Sequence, residues 1–557
     1  MAFIANRRHF GVVQLTIILT LAASVLWLSV SRAALPPPGS LDPNFGSGGT
    51  VSTSFGSEGI CNAVLVQVDQ KIVAIGAGLN AQQKRVFALA RYNTDGSPDS
   101  GFGTGGQVTT DPGGVDQQAL AGALQTDGKI VAAGLMSTVS GQPEVEFALV
   151  RYNTDGSVDT NFGSSGIVLT PIRSFSEAQA VAIQADGKIV AAGFIVDSHV
   201  TGQESVAIAR YMTDGSLDPG FGSAGIVIID FAGGGEASAI QIQPDHKIVL
   251  GGNTDNGPVF RLNADGSMDT GFGAQGFATS VISGQTLFCN GIALQGDGKI
   301  VAGGGVLSGA TNEFAVARYN ADGSVDTGFG TQGGTFVDMG DTNVVHRVAI
   351  GAGGAIIAAG ESLPPALPGE VLALDKFALL VLDANGIPNS GFGTGGKVVS
   401  DFGKPCFFPA VALQSDGNIV MSGTSSASTT QVFPQEFILA RYIGLRTATP
   451  TPTPTPTPAA QMCLRDNTSP VFMQLSQSGA YTFKNCATGE TLTGTGTVRI
   501  VNNVLMLTDN RPDRRVTASY YLNQLNGSAI VTLIPASGVY QTTRIIDTAP
   551  NASCSCQ

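Results

Sequence analysis

Arginine and aspartate recur eight positions apart along this chain, and acids and amides gather around Asp-Gly turns between them. Ion pairs, calcium loops and carboxylate catalysis are all built from such residues. The pairs are Arg91 with Asp99, Arg151 with Asp159 and Arg210 with Asp218, continued by Arg261 with Asp269 and Arg318 with Asp326. In the sixth copy both partners change together, to Val381 and Asn389. That joint loss predicts one Arg–Asp bridge per copy. Arg441 has no aspartate downstream, and Asp42 near the other end of the chain is its expected partner. A buried pair of this kind fixes turn geometry more than it adds stability, and losing one partner strands a charge.

The same phrase, N-x-D-G-S-x-D, places oxygen atoms at alternate positions around a glycine turn, so Asn93, Asp95 and Asp99 could hold calcium. The copies lack the bidentate glutamate and full ligand set of an EF-hand. Asp-Gly and Asn side chains also build turns without a metal, and we expect turn chemistry with no cofactor. The glycine run from Gly101 lies within a turn instead of between a strand and a helix, which excludes a phosphate cradle. No HExxH, G-x-S-x-G or Cys-x-x-Cys motif pairs with the few histidines, His199, His246 and His346 among them. A glycosidase needing only two carboxylates stays open.

The elements that must carry these residues repeat with them. FALARYNTDGSPDSGFG from Phe87 returns from Phe147, Val206, Val259 and Phe314, weakly from Phe377, and cut short at Tyr442, a period of roughly 50 to 60 residues. Each copy follows a second phrase, DGKIVAAG at Asp127 and Asp186, with relatives at Asp69, Asp245, Asp297, Gly353 and Asp416. AVAIQ from Ala180 alternates, turns at Asp186-Gly187 and returns as KIVAAGF. These two runs read as strands A and B of a hairpin. SVAIARY from Ser205 and GIVIID from Gly225 supply strands C and D. Four antiparallel strands in each of seven copies predict an all-β fold, a seven-bladed β-propeller. The chain begins its repeats with a lone turn and strand from Leu41 and ends them after strand C, so the N-terminal strand is expected to close the ring beside Phe437 to Tyr442.

The paired phrases DGKIVAAG and ARYNTDGSxDxxFGxxG, from about Leu41 to Tyr442, resemble the delta-60 repeat family of bacterial secreted and surface proteins. The resemblance implies a propeller-like repeat protein and no catalytic residues.

In such a ring the A–B and C–D turns share one repetitive face, and the B–C and D–A loops share a variable one. The variable face carries Asp116, Glu177, Asp197, Glu236 and Asp341, the candidate binding residues, and a long loop from Glu361. Net charge of −13 with scattered Lys and Arg disfavours nucleic acid. Arg7, Arg8 and the apolar run 11–30 before Ser31-Arg32-Ala33 read as a signal peptide, residues 1–33, which would remove Trp27, the only tryptophan. An uncleaved membrane anchor is the alternative. Residues 34–40 form a short linker, 41–444 the propeller, 445–460 a Thr/Pro-rich spacer, and 461–557 a small antiparallel β-sandwich or barrel. Among seven cysteines, Cys61 with Cys406 and Cys463 with Cys486 are possible disulfides, and Cys289 is the expected free thiol. The expected function is a secreted or cell-surface monomer that binds an extracellular protein or glycan through its variable loops. A polysaccharide hydrolase or lyase and a purely structural envelope component are the rivals.

Overall fold

A computed structural model describes residues 36–138, 144–196, 204–231, 233–254, 257–308, 311–364, 375–428 and 431–445, and the strands between 462 and 547. The expected signal segment, the Thr/Pro-rich spacer and Asp197 lie outside the described residues. Two compact units divide at Thr447 and Ala448.

The first unit is all-β with a β-propeller arrangement. The second copy shows how the sequence builds one blade. Strand A, Asp116–Leu124, turns into strand B, Ile130–Ser137, through a glycine at φ +82° and a carboxylate cap, Lys129 N donating to Asp127 Oδ1 at 3.1 Å. Strand C, Val145–Tyr152, and strand D, Ile167–Thr170, complete the antiparallel set. The same A-B-C-D order continues through the later copies to Lys397–Ser400. Strand A carries a β-bulge in each copy, as between Ala119 and Ala121. That bulge explains the glycine of the KIVAAG phrase. A Cβ on Gly134 would sit 1.9 Å from the carbonyl oxygen of Gln118, and the same collision recurs at Gly76, Gly193, Gly252, Gly304 and Gly360.

The last sheet is assembled from both chain ends. Thr50–Thr53 pairs antiparallel with Gln431–Tyr442, which pairs with Ile419–Ser428 and then with Cys406–Leu413. Each copy also donates one backbone hydrogen bond to the C–D turn of its successor. Gly46 reaches Asp95, Gly103 reaches Asp155, Gly163 reaches Asp214, Gly222 reaches Asp265, Gly273 reaches Asp322 and Gly330 reaches Asn385. Gly393 then reaches Pro38, at the start of the chain. The core lies between blades: Val73, Ile75 and Phe87 of one copy pack on Ala119, Ile130 and Ala132 of the next. Both faces of strand B are covered, which is why it reads Ile-Val-Ala-Ala with no polar alternation.

In the second unit, the eight strands from Met462–Asp466 to Thr542–Asp547 pair in chain order and close as a barrel through Arg465 opposite Asp547. Of the two expected alternatives, the backbone forms the barrel.

Candidate functional site

On the turn face, Arg151 Nε donates to Asp159 Oδ2 at 2.8 Å, and Lys129 Nζ, from the A–B turn, donates to the same oxygen at 2.8 Å. The other carboxylate oxygen caps the turn, accepting from Asn161 N at 3.2 Å. Strand alternation sends Arg151 toward the next blade, where Nη1 donates to the carbonyl of Thr213 at 2.6 Å, while its guanidinium lies 4.5 Å from the Phe162 ring centre. The Lys129 hydrogen bond, working against burial and helped by Asn161 N and the Arg151 charge, holds the Asp159 carboxyl down at about 2.

The expected partners meet wherever the sequence placed them: Arg91 with Asp99 at 2.7 Å, Arg210 with Asp218 at 2.8 Å, and Arg441 with Asp42 at 2.8 Å. Sequence reasoning missed the lysine. Its signal was available, because the sixth copy replaces it with Ala355 in step with Val381 and Asn389, and the turn glutamine with Gly351. Asn389 keeps the neutral half of the aspartate's work, its Oδ1 accepting from Gly391 N at 3.0 Å.

Protein donors also engage both carboxylates of the candidate calcium loop. Asp95 Oδ1 accepts from both the N and the Oγ of Ser97, at 2.9 and 2.6 Å, and Asn93 Nδ2 donates to Ser97 Oγ at 3.0 Å. Those hydrogen bonds from Ser97 lower the exposed Asp95 carboxyl. Asp99 turns away beneath them toward Arg91 and Lys71. Among the described residues no group of three or more His, Cys, Asp or Glu side chains could hold a metal ion.

On the loop face, a polar chain crosses three consecutive blades. Gln179 Nε2, from a bulge residue, donates to Glu177 Oε1 at 3.1 Å and to Glu236 Oε2 of the next blade at 3.4 Å. Asn253 Nδ2 donates to Glu236 Oε1 at 3.0 Å, and Asn253 Oδ1 accepts from Cys289 N of the following blade at 3.2 Å. Burial raises the Glu177 carboxyl, Gln179 opposes this, and the Glu236 and Glu204 charges add to the rise. Gln179 also lines the central channel, a space of about 250 Å³ walled by the first strands, with Arg347 on another side.

The remaining candidates are spread around this rim. Asp116 faces Arg85 at 3.3 Å, and Arg85 also pairs with Glu58. Asp341 Oδ2 accepts from Ser362 Oγ at 3.3 Å. A further group was not anticipated. Glu361, read as the start of a loop, lies buried inside strand Ile356–Leu363, with His346 Nε2 at 3.1 Å from its Oε1. Beside it, burial and then the Glu361 charge push the Asp375 carboxyl up to about 7. A hydrophobic strand around a lone glutamate gave little sign of this group.

The expected Cys61–Cys406 disulfide does not form. Both thiols are free and buried, and they occupy different cores. Cys61 packs with Phe437 and Leu439 on one side of the closing sheet, and Cys406 packs with Ile438 and Ala440 on the other. Cys289 is free as well. The Cys463–Cys486 pairing lies outside the described side chains.

Residues 67–102, 125–162, 184–221, 243–272 and 295–329 match the sequence model of a family described as a domain of unknown function (DUF5122) beta-propeller. The chain is a β-propeller repeat protein. The matched segments each run from an A–B turn to the phenylalanine of a C–D turn and carry the Arg–Asp–Lys group. The sixth copy, which lost that group, and the seventh, which is completed from the N-terminus, fall outside them. No curated protein matches the sequence. Among solved structures, a protein of unknown function from Dyadobacter fermentans DSM 18053 is similar to the propeller protein at 10% identity and a TM-score of 0.35, covering 72% of this chain and 100% of its own. A glucose dehydrogenase is similar at 11% identity and a TM-score of 0.32, covering 55% and 94%. Among the described residues no helix is long and apolar enough to cross a membrane.

Proposed function

We propose that this propeller is an exported, monomeric, non-catalytic binding module that engages an extracellular protein or glycan on its loop face. The observation that carries the reading is the contrast between its faces. In the first five copies the charged turn-face side chains are consumed by contacts that repeat from blade to blade, whereas the loop-face rim presents a non-repeating chain of carboxylates and amides from Glu177 to Asn253. Export rests on the basic and apolar segment before Ala33. No metal is needed, since turn carboxylates such as Asp95 and Asp99 are already engaged by protein donors.

We read the ring as seven-bladed. Support comes from the circuit of backbone hydrogen bonds that returns from Gly393 to Pro38, and from the pairing of Thr50–Thr53 with the last strand. Class averages of single particles with seven lobes would support this count, and five lobes would overturn it.

A carboxylate hydrolase is the second reading, favoured by one observation. Glu177 and Glu236, from adjacent blades, bracket a single amide, and burial favours the protonated form of Glu177. One experiment separates the two. The full chain is screened against arrayed glycans and extracellular proteins, with Glu177→Gln and Glu236→Gln in parallel. Binding without turnover that either variant weakens supports the binding module. Release of reducing ends that both variants abolish supports the hydrolase, and binding indifferent to both variants removes this rim from either role.

A further inference from the structure

The lost charges of the sixth copy leave a space behind. A cleft of about 290 Å³ opens on the turn face between the sixth and seventh blades. Three of its walls are Gly351, Ala355 and Val381, which occupy the positions of the glutamine, lysine and arginine of the repeat. At the first seam those positions are Gln67, Lys71 and Arg91, and Arg91 spans to the next blade by donating from Nη1 to the Thr154 carbonyl. Val381 stops short of the equivalent place. Ile357, Leu413 and Leu445 make the cleft apolar along its length.

Its rim carries a carboxylate that no cation among the described residues pairs with. Asp416 lines the cleft from the seventh A–B turn. In the first, second, third and fifth copies the matching aspartate has a lysine of its own turn nearby, as Asp127 has Lys129 at 3.9 Å. Asp416 has Asn418 instead, donating from N and Nδ2 at 2.9 Å each. An apolar slot with a carboxylate at its mouth is complementary to an alkyl chain that ends in a cation. Such a chain has the shape and charge of the lysine and arginine side chains that the sixth copy lacks.

We propose that this cleft is a binding site for an alkyl cation, the lysine or arginine side chain of a partner protein. The site is on the opposite face from the rim discussed above and stands or falls independently of it.

The test titrates the full chain with agmatine, n-pentylammonium and n-pentanol, followed by NMR line broadening of the ligand. The two cations are expected to bind saturably at millimolar concentration, and pentanol at least fivefold more weakly. Asp416→Asn should bring the cations down to the level of pentanol. Restoring the repeat with Ala355→Lys, Val381→Arg and Asn389→Asp should abolish binding, because the protein then fills its own slot. Gly351→Gln, a milder filling, should weaken it severalfold and guards against misfolding of the triple variant. A short peptide with one internal arginine should bind within tenfold of agmatine. No saturable binding, equal binding of pentanol, or unchanged affinity in the filled variants would overturn the site, and failure of the peptide alone would overturn the partner side chain as its occupant.

Discussion

Arg441 and Asp42 are separated by 399 positions in the sequence and meet at 2.8 Å. The contact copies the bridge that each of the first five copies makes within eight residues, so the chain ends close the propeller with the same chemistry. Arg441 also stacks on Phe45 at 4.6 Å and donates to the Thr94 carbonyl of the first blade. Three parts of the chain are therefore joined through one guanidinium.

The bridges predict an asymmetric pair of single substitutions. Arg151→Val leaves Asp159 with Lys129 and Asn161 N, whereas Asp159→Asn strands a buried guanidinium. Asp159→Asn is expected to cost about 3–5 kcal/mol and Arg151→Val less. The double variant reproduces two of the three natural replacements, Val381 and Asn389, while keeping Lys129, and it should be less destabilised than the sum of the singles by at least ~1 kcal/mol. Urea unfolding of the four proteins checks this, and strict additivity would show that the pair is not coupled.

Stability should peak in mildly acidic solution, with two limbs of opposite sign. Asp159 titrates in the fold at about 2, below the ordinary value of about 3.9, so its contribution is complete above pH ~4 and disappears as pH falls toward 2. Asp375 is shifted the other way, to about 7, so the stability it confers is complete below pH ~4 and is lost as pH rises through 7. Thermal midpoints by circular dichroism from pH 2 to 8 should show both limbs. Asp375→Asn should flatten the upper limb and leave the acid one unchanged.

The blade was legible because its chemistry is local and repeated. Asp-Gly turns, alternating strands and the Arg–Asp spacing all act within one copy, and repetition separates them from noise. The split strand of the closing blade was legible too, since Leu41 to Phe55 lacks three strands and the last copy lacks one. Contacts made by a single copy with its neighbour were not. Gln179 reaches Glu236 only because a bulge turns it toward the next blade, and nothing in the spacing of those residues announces that turn. The Cys61–Cys406 pairing fails for a related reason: spacing along the chain does not show that the two thiols face opposite sides of the closing sheet.

Removing residues 34–53 should expose the edge of Gln431–Tyr442, whose Phe437 to Ala440 pair with Thr53 to Thr50. An unpaired strand of this length is a template for other chains. The truncated protein should melt several degrees lower and form concentration-dependent dimers in light scattering after gel filtration. A synthetic peptide of residues 38–56 should restore the monomer by adding the missing strand. A truncated protein that stayed monomeric and equally stable would show that the strand is dispensable for closure.

The propeller thiols should be inert while the protein is folded. Cys61, Cys289 and Cys406 are buried, and burial pushes each thiol up to about 12, against an ordinary value of about 8.5. Thiolate is the reactive form, so both access and ionisation suppress attack at neutral pH. Cys61 is further held within its blade pair, its N donating to Thr424 Oγ1 at 2.9 Å across the closing seam. Differential alkylation read by mass spectrometry should leave all three unlabelled over hours in buffer and label them within minutes in concentrated urea. Reductant should not shift the melting of the propeller. Recovery of a Cys61–Cys406 cross-linked peptide from the native protein would require the closing sheet to be displaced, and would contradict the packing of Phe437 and Ile438 on its two sides.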